Sequence, residues 1–138
     1  MQTGAGTFAT AVLWISVLTW AAFGFWLLMS PTALAGVGID VQNPTARAEI
    51  RAFYGGLELG VAAAILWLGR RRVADGLRVA LTSVGCVAVA RLGGMVFEGF
   101  AVEPMMWVFF GLEATAAVLT TLALRTTSGS ELPEANTP

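Results

Sequence analysis

Apolar residues fall into four long blocks separated by short polar breaks. The first, residues 7–29, carries no charge and exceeds the roughly 20 residues that cross about 30 Å of hydrocarbon. The second runs from about Pro44 to about Gly69, with 52–69 as its crossing part. Asn43 is its cap, and Pro44 stands at the first helical position, where a missing N–H costs nothing. The third covers 77–97 and the fourth 105–124, the latter opened by Glu103-Pro104. In lipid every backbone N–H and C=O must be paired within its own segment, so each block reads as an α-helix. The expected fold is all-α: a four-transmembrane-helix bundle forming one domain, residues 1–125. A flexible tail, 126–138, follows, rich in Ser, Glu, Pro, Asn and Thr and with nothing to bury.

The breaks carry the orientation. Ser30-Pro31-Thr32-Ala33-Leu34-Ala35 holds an Ala-x-Ala pattern of the kind signal peptidase cuts. The block before it lacks a basic leader and is longer than a signal-peptide core, so an uncleaved span is expected. Residues 36–42 form a short connection that holds Asp40. Arg70-Arg71-Arg72, with Asp75 and Arg78 just beyond, separates blocks two and three, and basic residues beside spans stay on the cytoplasmic side. Together with Arg125 they outweigh Arg47 and Arg51 at the opposite end. Both termini are therefore expected in the cytoplasm and the 98–103 loop outside.

Composition agrees and narrows the chemistry. At 57% hydrophobic, 12% charged and a mean hydropathy of +0.74, the chain of 138 residues is too apolar for a soluble domain. A net charge of −1 with eight basic residues offers no basic face for nucleic acid. Cys86 is the single cysteine and reads as a small buried hydrophobe. Histidine is absent, which removes the commonest metal ligand and haem axial ligand, so no metal and no cofactor is expected. No catalytic nucleophile stands out either, and an enzyme is the weakest class.

What remains is a set of polar groups inside the apolar blocks. At 100° per residue, Arg51, Tyr54, Gly55, Glu58 and Ala62 share one side of the second helix. Counted at 1.5 Å per residue from the outer ends of their helices, Glu58, Arg91 and Glu113 lie about 12, 10 and 14 Å deep. Each would cost about 2.5–3.5 kcal/mol in contact with lipid, so mutual pairing is expected, with Arg91 bridging Glu58 and Glu113. An arginine fork can serve two carboxylates and keeps its charge when buried. Two acids and one base leave a negative balance, to be met by a proton, by Arg51 or by a cation. Tyr54 is placed to hydrogen-bond Glu58 or Glu113, and Glu98, seven residues after Arg91, to stand at the mouth. The bland reading has equal standing: polar pairs also fix helix register without any chemistry. Gly56-x-x-x-Gly60, with Gly55 before it, matches the small-residue pattern of close helix approach, and Gly94 beside Arg91 offers similar clearance.

Arg51-Ala52-Phe53-Tyr54-Gly55-Gly56-Leu57-Glu58, Arg91-Leu92-Gly93-Gly94 followed by Glu98-Gly99, and Glu113 together resemble a bacterial family of small four-helix membrane proteins. That family is catalogued as a domain of unknown function and is loosely similar to DoxX-like proteins. The resemblance covers about residues 8–125 and implies a multi-pass protein of the inner (plasma) membrane with polar groups drawn inward. It carries no activity, and the redox and sulfur metabolism linked with DoxX-like proteins finds no ligand set in one cysteine and no histidine. Two functions stay open. One is a non-catalytic accessory or scaffold subunit that binds a larger membrane complex or a lipid-like ligand. The other is an oligomeric transporter or channel for a proton, small ion or solute, working through Glu58, Arg91 and Glu113.

Overall fold

A computed structural model describes residues 3–39 and 41–128 of the chain. Helix α1 is Thr3–Met29, an unbroken stretch without charge or proline. Ser30 and Pro31 stop it, and Pro31–Val37 turns into a 3-10 helix closed by Gly38 at φ 82°, whose N–H donates to Ala35 O. This folded segment occupies much of what the sequence suggests is a plain connection. It is apolar enough to pack: Leu34 joins Leu27, Val41 and Ile50 in a small core over that end of the molecule. Asp40 lies outside the described residues.

Asn43 caps α2 (Pro44–Ile50) as expected, its Oδ1 accepting from Thr45 N at 2.8 Å. Arg47 turns back and donates to the carbonyls of Gln42 and Val41, pinning the entry loop. The helix does not then continue as a regular α-helix. Arg51–Gly56 forms a π-helical segment before α3 (Leu57–Gly69) completes the span. Two consecutive glycines lower the cost of such a departure, and Arg51 adds an anchor. Its Nε donates to Leu28 O at 3.1 Å, one of the last carbonyls of α1, which have no partner within their own helix.

A tight turn at Arg70–Arg72 leads into α4 (Val73–Phe97), which starts four residues earlier than its apolar block. At this end Arg71 lies over the Trp67 ring at 4.6 Å, and Arg78 pairs with Asp75. Past Glu98 the chain turns through Gly99 and Phe100 at φ 59° and 62°. Phe100 is held there by its N–H on Met95 O and by stacking on Trp107 at 5.6 Å. Helix α5 (Pro104–Ser128) follows, longer than the expected 105–124 and taking in the first residues of the expected tail. Residues 129–138 lie outside those described.

Among the described residues the fold is all-helical, without strands, and holds four helices long and apolar enough to cross a membrane: Gly6–Met29, Pro44–Gly69, Val73–Phe97 and Pro104–Thr127. They form a ring. Helix α1 packs on α3 and α5, and α4 packs on α3 and α5. A core of Ala9, Leu13, Val17, Ile65, Leu77 and Ala123 fills the end near the arginine turn. With the smaller core around Leu27 it brackets a middle level. Outside, Ile15, Leu18, Trp67, Val89 and Leu112 are exposed on all four spans, an apolar girdle that a soluble protein would not leave uncovered. Cys86 is also exposed, not buried, on the outer face of α4.

Helix α1 and the second span meet backbone against backbone. A Cβ on Gly24 would stand 2.9 Å from Gly55 O and Leu59 N, and one on Gly55 would stand 3.0 Å from the Leu28 backbone. Among the described residues nothing lies within 4 Å at Gly60 and Gly94, and only the carbonyl of Arg51 at Gly56, so the expected close approach at these three is not made there. Gly24→Ala is expected to lower stability by about 1–3 kcal/mol, the usual cost of overpacking. Gly60→Ala should leave stability unchanged or slightly raised; unfolding of both variants in detergent checks the pair.

Candidate functional site

The middle level is where the charges are. Arg91, on α4, grips Glu113, on α5, with both edges of its fork: Nη2 to Oε1 at 2.6 Å and Nε to Oε2 at 2.9 Å. Its remaining nitrogen, Nη1, points at Met106 Sδ at 3.3 Å, and the guanidinium lies 5.4 Å from the centroid of the Phe109 ring. Met106, Phe109 and Glu113 are spaced i, i+3, i+7 and so share one face of α5. Phe109 in turn meets Phe23 of α1 edge to face. Arg91 thus rests in a cradle of one acid, one thioether and one aromatic face.

The three-way cluster expected from depth is not formed. Arg91 engages Glu113, and no hydrogen bond or ion pair joins it to Glu58 among the described residues. Glu58 instead has its Cβ against Gly24 of α1, and its Oε2 is buried without a hydrogen-bond partner. The π segment gives the reason. A wider turn between Arg51 and Gly56 rotates everything after it, so a stripe drawn at 100° per residue no longer describes where Glu58 points. Arg51 is likewise spent on the end of α1 and does not join the acids. Tyr54 is exposed and makes no hydrogen bond to Glu58 or Glu113 among the described residues. Nor is the ion pair sealed: the side chains of Arg91 and Glu113 keep 24% and 16% of their surface.

Arg91 also lines a cleft of about 670 Å³ at the end of the bundle away from the arginine turn. Arg91, Gly94, Met95 and Glu98 of α4 line it, facing Met106 of α5 and, from the connections, Val37, Gly38, Val102 and Glu103. Glu98, expected at the mouth of the polar cluster, is one of the residues lining this cleft. From the sequence Glu103 reads only as the start of the fourth block, directly before Pro104, and Met106 as apolar bulk, neither as a site residue. Among the described residues no three of His, Cys, Asp and Glu come together as a metal site. The arrangement can hold an apolar body and orient a polar head.

Four long apolar helices with an ion pair between two of them define the class: a small multi-pass membrane protein with a polar level inside its apolar spans. The chain belongs to the family described as Domain of unknown function (DUF4345), whose family model matches residues 8–124. Neither a curated protein nor a solved structure matches it.

Removing one member of the ion pair should cost more than removing both, because the survivor is left as an uncompensated charge in an apolar setting. Arg91→Leu is expected to lose about 1–3 kcal/mol. The double variant Arg91→Leu/Glu113→Leu should recover most of that in unfolding measurements; a double loss equal to the sum of the Arg91→Leu and Glu113→Leu losses would mean that the two charges are not coupled.

Proposed function

We propose that the protein is a non-catalytic accessory subunit of the inner (plasma) membrane that holds a lipid-like ligand in the cleft beside Arg91. Through its exposed apolar faces it would join a homo-oligomer or a larger membrane complex. The observation that carries this reading is the closed Arg91–Glu113 pair on the wall of an open, largely apolar cleft. A bidentate fork with its third nitrogen on a thioether has few N–H groups left for a reaction, yet it keeps the wall rigid. The cleft volume falls within the roughly 300–1,000 Å³ of small-molecule sites. Mass spectrometry of the protein extracted in mild detergent should find a bound amphiphile. Gly94→Phe should abolish it, because that position has open space into which a ring can project.

One observation favours a second reading, passage of a proton or small ion: the buried, unpartnered Oε2 of Glu58 beside a π segment. Glu58→Gln separates the two. On the accessory reading proteoliposome flux is the same with and without the carboxylate; loss of flux with the fold intact would replace it with the transport reading.

The orientation goes with the proposal. Arg70, Arg71, Arg72, Arg78 and Arg125 gather at one end, and the rule for basic residues makes that end, with both termini, cytoplasmic. In a Cys86→Ser background, Ala101→Cys should react with a membrane-impermeant thiol reagent on intact cells, and Arg71→Cys only after the cells are opened. The reverse pattern would invert the topology.

A further inference from the structure

The charges around the cleft do not balance. Arg91 is neutralised by Glu113, leaving Glu98 and Glu103 as the remaining charged groups on the lining, and neither carboxylate has an ion pair or hydrogen bond among the described residues. They are not loose ends of one flexible strand. Glu98 closes α4, and its carbonyl accepts from Ala101 N; Glu103 leads into α5, and its carbonyl accepts from Met106 N. Between them the Gly99–Phe100 turn is fastened by Phe100 on Met95 O and on Trp107. The end of α4 and the start of α5 bring opposite partial charges, so the two carboxylates decide the sign at the mouth. The rest of the lining is largely apolar and polarizable: Val37, Met95, Val102 and Met106, with the exposed Phe97 at its edge.

From this charge pattern, and resting on the reading of the cleft as an amphiphile site, we infer that it selects a singly cationic amphiphile, an alkylammonium carrying no anionic group. The ammonium sits between Glu98 and Glu103, and the chain runs over the methionines towards the Arg91 wall. A zwitterionic phospholipid is disfavoured because its phosphate would lie against the same carboxylates. An anionic lipid is disfavoured more strongly. The attraction is exposed at the mouth and therefore falls with ionic strength.

The test uses the full chain in nanodiscs of neutral lipid, titrated with dodecyltrimethylammonium, dodecylphosphocholine and dodecyl sulfate in parallel. Gly94→Phe discs measure what partitions into bilayer alone. The expected result is saturable binding of dodecyltrimethylammonium that Gly94→Phe removes, that Glu98→Gln/Glu103→Gln weakens at least fivefold, and that added salt weakens. Glu98→Lys/Glu103→Lys, at two exposed positions that do not threaten the fold, should shift the preference to dodecyl sulfate. Binding of all three probes with equal affinity, lost in Gly94→Phe, would overturn the charge selectivity and leave the amphiphile cleft standing. Absence of any difference between wild-type and Gly94→Phe discs would overturn both.

Discussion

A full charge among apolar helices persists only where another charge or a dense set of dipoles answers it, and here one carboxylate does so for one guanidinium. The fork geometry matters as much as the charge. With Nε and Nη2 on the same carboxylate, α4 and α5 are fixed in rotation and in height relative to each other. That fixes the positions of Met95 and Glu98 one and two turns along α4, and of Met106 and Phe109 along α5. The pairing therefore sets one wall of the cleft, with Arg91, Met95 and Glu98 on one side and Met106 on the other.

The second constraint is steric and lies on the opposite side of the ring. Glycine at 24 and at 55 allows α1 and the second span to meet at their backbones, and this contact sits within the π segment. Arg51, Gly55 and Glu58 all take their places from that contact. Arg51 reaches the free carbonyls of α1, Gly55 lies under Leu28, and the Glu58 carboxyl is drawn against α1 and away from the ion pair. One local departure from α-helical winding thus divides a polar set that a regular helix would have kept together.

The parts of this molecule legible in the sequence follow from rules that lipid enforces. Length and apolarity marked all four spans, Asn43-Pro44 marked a helix start, and depth alone brought Arg91 to Glu113. What was not legible depended on winding and on tertiary neighbours. No residue pattern distinguished Tyr54-Gly55-Gly56 in a π turn from the same residues in an α-helix, so the partner of Glu58 was misassigned. Gly24 lies in an apolar run where a glycine carries no mark until the facing backbone is known, whereas Gly60 carried a mark and faces open space. The 3-10 segment after Pro31 was hidden because its role is to cover a core that exists only once Leu27, Val41 and Ile50 have come together.

The order in which the two paired charges leave the ribosome has its own consequence. Arg91 is synthesised a full helix before Glu113, so during biogenesis the third helix reaches the translocon with a guanidinium that nothing yet neutralises. The energetics disfavour its release into lipid alone. Pairing with Glu113 therefore favours insertion of the last two helices together, as a hairpin.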